Sequence, residues 1–146
     1  MSITIRPLES ADRQQWLELW RGYQAFYEAD LSADEDSLWQ RLMKPSPDGP
    51  FCLVAQDETG RLLGITQFLY HMSTWSQARK CYLNDLFTTH QARGKGVARA
   101  LIEGVYARAD EDGNSEVYWM TQEFNHTARK LYDRIGRLTP FIKYNR

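Results

Sequence analysis

The chain has 146 residues, 18 basic and 19 acidic side chains, two cysteines and 42% hydrophobic residues. That length suits one domain spanning residues 1–146, a single sheet covered by helices rather than two independent cores. A formal net charge of -1 gives no general attraction to phosphate polymers, which argues against a nucleic-acid binder, and every apolar run falls far short of the roughly 20 residues of a membrane span.

The start of the chain, Met1-Ser2-Ile3-Thr4-Ile5-Arg6-Pro7, has no basic region followed by an apolar stretch, so no signal peptide is expected. Ile3 and Ile5 alternate with polar neighbours and predict a short strand ended by Pro7. Ser10 can cap a helix whose apolar stripe runs through Trp16, Leu19, Trp20, Tyr23 and Phe26 or Tyr27. Ser32 with Glu35 has the capping-box form and predicts a second helix through Leu38, Trp39, Leu42 and Met43. The stretch from Lys44 to Pro50, with three prolines and a glycine, breaks the chain.

Residues 51–56 and 62–70 read as two strands joined by a glycine-containing turn, and a polar loop over 73–77 leads to a third strand over 80–88. A helix follows with apolar Val97, Leu101, Ile102, Val105 and Ala109, and Asp112-Gly113-Asn114 stops it. Residues 116–121 are strand-like, Asn125 opens a last amphipathic helix that Gly136 ends, and 139–144 predict a final strand. The order β, α, α, β, β, β, α, β, α, β defines an α/β domain. Cys52 and Cys81 fall in apolar strands with no metal-ligand partner in spacing, and His71, His90 and His126 are scattered. Two buried reduced thiols, no metal site and a soluble cytoplasmic protein are expected.

The most informative stretch runs from Asp85 through Arg93-Gly94-Lys95-Gly96-Val97-Ala98-Arg99. A strand delivers the chain into a two-glycine turn, and a helix begins at once. Glycine permits φ > 0 and removes Cβ atoms, so successive backbone N–H groups can converge on an anion. The helix N-terminus adds unpaired N–H groups and the positive end of its dipole, and Arg93, Lys95 and Arg99 add charge. A pyrophosphate is the natural ligand. The Walker A form fails, because Gly96 stands where a Ser or Thr would hold magnesium. The dinucleotide fingerprint fails where Arg99 replaces its third glycine.

What remains is Arg/Gln-x-x-Gly-x-Gly/Ala, filled by Arg93, Gly96 and Ala98; Gln91, Gly94 and Gly96 fit it two residues earlier. Here the sequence resembles the GNAT superfamily of N-acetyltransferases. A second unit strengthens the likeness: a strand, Asn125, then Ala128, Leu131 and Tyr132 on a helix closed by Gly136. Asn125 and Tyr132, two helical turns apart, lie on one face. Trp119-Met120-Thr121-Gln122 and the Pro140 to Tyr144 ending look most like the small Hpa-type branch of histone, polyamine and amino-acid acetyltransferases.

The resemblance implies a GNAT-type α/β fold, with a mixed sheet of about six or seven strands flanked by four helices. It implies acetyl-CoA as co-substrate, held by Leu86, Phe87, Thr88, Arg93, Gly94, Lys95, Gly96, Val97, Ala98, Arg99, Asn125 and Ala128. A backbone N–H near Phe87 or Thr88 would polarise the thioester carbonyl, and Tyr132 would be the general acid at the thiolate. Related polyamine-type enzymes carry a Glu-Asp pair before the turn; this chain has Asn84-Asp85, and Asn84 cannot accept a proton. Pleating sets Asp85 on the strand face opposite Asn84. Asp85 is then a base or a ligand of a cationic group, while water wires would need no dedicated carboxylate.

In this family the first two helices roof the acceptor pocket. Here they carry Tyr23, Tyr27, Glu28, Asp30, Asp34, Glu35 and Asp36. Such an acidic-aromatic rim suits a cationic acceptor, with Tyr27, Glu28 and Asn84 as substrate-binding residues, although acidic residues also collect at any helix start. The expected activity is direct transfer of an acetyl group to a primary amine of a small molecule. Protein lysines or N-terminal amines, and a non-catalytic CoA-binding module, are the alternatives. By resemblance the chain is a homodimer, with Phe141 to Tyr144 apolar enough to pair with another subunit's edge.

Overall fold

A computed structural model describes residues 2–146. Five strands, β1 (Ile3–Pro7), β2 (Phe51–Asp57), β3 (Leu62–Ser73), β4 (Ser76–Thr88) and β5 (Val117–Tyr118), form one sheet in the order β1-β2-β3-β4-β5. The first four run antiparallel to their neighbours and β5 joins β4 in parallel. Four helices, α1 (Arg13–Phe26), α2 (Glu35–Met43), α3 (Val97–Glu111) and α4 (His126–Ile135), complete the domain.

Side-chain alternation along the strands divides the core between two faces. Val54 and Ile65 point to a cluster built on Trp16, Leu19 and Trp20 of α1 and Trp39 and Leu42 of α2. Leu53, Ala55, Phe68, Cys81 and Leu83 point the other way, to Leu101, Ile102, Val105 and Ala109 of α3, with Leu131, Tyr132 and Ile135 of α4 at the margin. The domain is therefore a three-layer α/β/α stack.

The mixed sheet and four helices match the expectation; the strand number does not. The sheet has five strands, not six or seven. Residues 119–121 leave the ladder after β5 has paired only Val117 and Tyr118 with Cys81 and Tyr82, and residues 139–144 form no strand. A strand needs an edge to pair with, and two-residue β5 offers almost none. The loop expected over 73–77 is instead a tight hairpin, with Ser73 opposite Ser76. Both expected caps also shift: Asp12, not Ser10, accepts the Glu9 N–H at 2.8 Å, and Ser32 bonds Asp30 rather than capping α2.

Cys52 and Cys81 are buried free thiols. Burial pushes both up, Cys81 to about 12, with Asp112 adding to the shift. Neither thiol is a nucleophile at neutral pH.

Candidate active site

Strand β4 carries the site because its two edges have different fates. One edge pairs with β3 as far as Thr88. The other pairs with β5 only at Cys81 and Tyr82, so from Leu83 to Thr88 that edge has no strand partner among the described residues. Backbone groups left free inside a domain need partners. An extended ligand arm lying along Leu86, Phe87 and Thr88 would supply them by adding to the sheet.

The turn beyond β4 is built for an anion. Thr89 N–H donates to Leu63 O at 2.9 Å, and a 3-10 turn over His90–Ala92 leads to Gly94 at φ +76° and Gly96 at φ +80°. Only glycine adopts that left-handed region without strain. A Cβ atom at either position would meet nothing within 4 Å, so the space above the turn is open. Gly96 is the N-cap of α3, and the first helical bond is Ala100 N–H to Gly96 O at 3.0 Å. The amides of Val97, Ala98 and Arg99 thus have no intrahelical acceptor. Val97 is itself core, 1% exposed, and can offer a ligand only its main chain.

The turn's cations differ in freedom. Arg99 pairs with Glu103 at 2.7 Å, and the Arg93 guanidinium lies 5.8 Å from the Phe26 ring centroid. Lys95 is exposed and makes no ion pair among the described residues. The cradle of open glycines, helix amides and lysine fits a diphosphate.

The second half of the site is a carboxylate among aromatic rings. The register slips between Gln67 and Phe68, which face Asp85 and Leu83, so Asn84 is the extra residue of a bulge. The bulge matters because it re-aims a side chain. Regular pleating would put Asp85 on the same face as Leu83, toward α3. Instead it joins Phe87 on the α1 face, where Gln67 Nε2 donates to its Oδ2 at 2.9 Å. Asn84 Nδ2 donates to the other oxygen at 3.3 Å, so the expected separation of Asn84 and Asp85 onto opposite faces is not observed.

Tyr23 of α1 adds a hydroxyl contact to Asp85. Burial pushes the Asp85 carboxyl above the ordinary aspartate value, and the hydrogen bonds from Gln67, Tyr23 and Asn84 only partly offset it. No lysine or arginine pairs with it among the described residues.

Tyr23 and Tyr27 lie 4.8 Å apart, and Tyr82 stacks on Tyr118 at 4.9 Å. Burial and then the Asp85 charge push Tyr23 and Tyr27 up; the same two causes act on Tyr82, with Tyr118 between them in size. Glu28 is apart from this group. It is exposed at φ +53° beyond α1, and its carboxylate makes no hydrogen bond or ion pair among the described residues.

Tyr132 sits on α4, edge-on to Trp119 at 5.5 Å. Burial, then the Tyr27 phenol, push it up to about 12. It therefore carries its proton at neutral pH and can donate it. The Asn125 carboxamide does not cap α4; its Nδ2 donates to Thr121 Oγ1 at 3.3 Å. Ala128 lies half-buried one turn further on.

Tyr27, Asn84 and Asp85 are thus brought together, and Glu28 is not. Gln67 and Tyr82 went unmarked in the sequence. The available signal was Gln67 between Ile65 and Leu69, a polar residue at an inward position of an alternating strand. Among the described residues no three His, Cys, Asp or Glu side chains cluster as metal ligands would.

An α/β/α domain whose β4 edge is free beyond Tyr82, with an open glycine turn at one end and a carboxylate among tyrosines beside it, is the arrangement the resemblance implies for a CoA-dependent acyl-transfer enzyme. The chain belongs to the acetyltransferase (GNAT) family, whose model matches residues 13–136, and it is an N-acetyltransferase of the Hpa-type branch. It is 36% identical over 145 residues to the D-amino-acid N-acetyltransferase HPA3 of Saccharomyces cerevisiae, covering 99% of this chain and 90% of that one. A thialysine N-epsilon-acetyltransferase of Mus musculus is 32% identical over 100 residues, covering 61% of this chain and 57% of the relative. In fold it is similar to an aminoglycoside N-acetyltransferase solved with CoA, at TM-score 0.83 and 15% identity over 99% of this chain and 94% of that one.

Proposed function

We propose that the chain moves the acetyl group of acetyl-CoA to the primary amine of a small molecule, a polyamine, diamine or amino-acid-like compound, in a ternary complex. The observation that carries this reading is Asp85: a half-buried carboxylate among tyrosines, held by neutral donors, with no protein cation beside it. A buried charge without a partner is costly. A cationic acceptor would supply the missing charge and gain cation–π contact with Tyr23, Tyr27 and Tyr82. The mouse relative's name, an N-epsilon-acetyltransferase of thialysine, and the yeast relative's, an acetyltransferase of D-amino acids, both support a small amine.

Acetyl-CoA would supply the activated thioester, its diphosphate against Gly94 to Arg99 and its arm along Leu86 to Thr88. Asp85 takes one proton as the acceptor's ammonium becomes a nucleophilic amine. A second leaves the nitrogen as the C–N bond forms and the C–S bond breaks, and returns through water to the Tyr132 oxygen, replacing the proton that the phenol delivers to the departing sulfur. The two thiols are buried and protonated, which supports direct transfer over an acyl-cysteine route and fits a reducing, cytoplasmic setting.

A homodimer is part of the proposal. Leu138, Phe141, Ile142 and Tyr144 are 74–88% exposed, and a second copy would cover them by pairing this tail with its sheet edge. Light scattering should give a dimer that Phe141→Asp with Ile142→Asp converts to monomer; a monomeric parent overturns this part.

The experiment for the activity is acetyl-CoA with a panel of amines, following free thiol. Release with polyamines, diamines or amino acids supports the proposal. Release only with lysine peptides or N-terminal peptides would transfer the activity to proteins, and calorimetric CoA binding without any release would leave a cofactor-binding module.

A further inference from the structure

Resting on the reading of Asp85 as base, we propose that Trp16 and Gln67 are positioning residues. The donor-only indole fixes the Gln67 carboxamide so that its NH₂ group faces Asp85, holding one carboxylate oxygen to β3 while the other stays toward the acceptor cleft.

The argument starts from what each group can do. An indole Nε1–H donates and never accepts. Trp16 Nε1 lies 2.9 Å from Gln67 Oε1, and the bond is fully buried, with Trp16 1% and Gln67 2% exposed. A carboxamide presents oxygen on one side and nitrogen on the other, so an indole donor dictates its orientation. If the amide flipped, its NH₂ would face the indole N–H and its oxygen would face the Asp85 carboxylate. Two repulsive contacts would replace two hydrogen bonds, without solvent to relieve them. The chain Trp16 Nε1 to Gln67 Oε1, then Gln67 Nε2 to Asp85 Oδ2, therefore has one direction.

Its place in the fold points to the site as well. Gln67 stands opposite Asp85 at the bulge, so the residue facing the re-aimed side chain also gives it a fixed donor. Thr66 adds a second tie through its hydroxyl, which donates to Asp85 O at 2.9 Å. A core serving packing alone would place an apolar side chain at Gln67, as it does at Ile65.

The test reads Asp85 directly and needs no acceptor: a carbon-13 titration of its carboxyl in wild type, Gln67→Leu and Trp16→Phe. The groups facing Asp85 are Tyr23 from α1 and Tyr27 just beyond its end, Cys52 from β2, Gln67 from β3 and Asn84 and Tyr82 from β4. Each phenol and thiol is pushed up, so each stays neutral through the range scanned. Gln67 is the strongest of the three donors that hold the carboxylate down. Without it the midpoint should rise by about one pH unit, and with Trp16→Phe by less, because the carboxamide becomes free to rotate.

In turnover, the acid limb of kcat/KM should move up with the carboxyl midpoint. A midpoint unmoved in Gln67→Leu overturns the proposal, as does a loss of activity with the limb in place. Should Gln67→Leu fail to fold, Gln67→Met, which keeps length and removes the donor, carries the same two outcomes. Asp85→Asn separates this inference from the one beneath it. If Asp85→Asn keeps the wild-type limb, Asp85 is not the base; if it loses the limb while Gln67→Leu moves nothing, only the positioning role fails.

Discussion

Asp12, buried, and Asp85, half-buried, lie against the same helix, and their surroundings drive them in opposite directions. Asp12 is 6% exposed and meets both arms of the Arg6 guanidinium at 2.8 and 2.9 Å, with the Glu9 N–H on the same carboxylate. The Arg6 bond holds it below the ordinary aspartate value. Asp85 receives only neutral donors, and burial drives it above. Complete charge pairing marks the first as structural, tying β1 to the start of α1. Incomplete pairing is the ground for proposing that another molecule's charge belongs beside the second.

The sharpest way to break this contrast is to neutralise each acid. Asp85→Asn should lower kcat/KM about 10²- to 10⁴-fold, the range of a lost general base, while the melting temperature of the free protein rises. Each kcal/mol regained corresponds to about 2–4 °C for a domain of this size. A rate loss accompanied by a lower melting temperature would place Asp85 with the structural acids. Asp12→Ala should do the reverse, costing about 1.5–3 kcal/mol in urea unfolding because Arg6 loses its two-point carboxylate and keeps Glu9 only at 3.8 Å, with kcat per folded molecule intact. A cost below about 1 kcal/mol would remove Asp12 from the framework.

Two smaller effects test the other half of the site. Gly96→Val places a branched residue at φ +80° in the open space proposed for the diphosphate, and CoA should bind at least about tenfold more weakly by calorimetry. Unchanged affinity would discredit the cradle. Tyr132→Phe should lower kcat about ten- to a thousandfold with CoA affinity kept; an unaltered rate would remove the phenol from the reaction.

The smallest effect is in the pH dependence of folding. Asp12 releases its proton more readily folded than unfolded, so its contribution is full above the ordinary aspartate pKa and is lost as pH falls through its depressed value. Asp85 is the opposite case. The folded chain holds that proton more tightly, so stability falls as pH rises from the ordinary aspartate pKa through the raised one. Asp85→Asn should erase that second slope and leave the first. Urea midpoints across the acid range would show it, and a slope surviving Asp85→Asn would assign it to another group.

The sequence made the framework legible where the signal was local. The stripe of Trp16, Leu19 and Trp20, the two-glycine turn and the last helix opening at Asn125 each announce themselves within one helix or turn, and all appear in the structure. Features set by pairing between distant segments were harder. The end of the β5 ladder after Tyr118 and the unpaired state of residues 139–144 depend on which edges are free, not on alternation, so two strands were overcounted or overextended. The bulge at Asn84 was invisible for the same reason, and with it the true direction of Asp85. Gln67 reads as an anomaly in the sequence and acquires a purpose only once Trp16 and Asp85 are seen on either side of it.

The central claim is that Asp85 lacks a cation because the acceptor brings one. Its most direct test is the pH profile of kcat/KM for wild type and Asp85→Asn, with whichever amine the thiol-release panel shows to turn over fastest. The account predicts an acid limb above the ordinary aspartate pKa in wild type and its disappearance in Asp85→Asn. The same limb, at the same pH, in both proteins would contradict it.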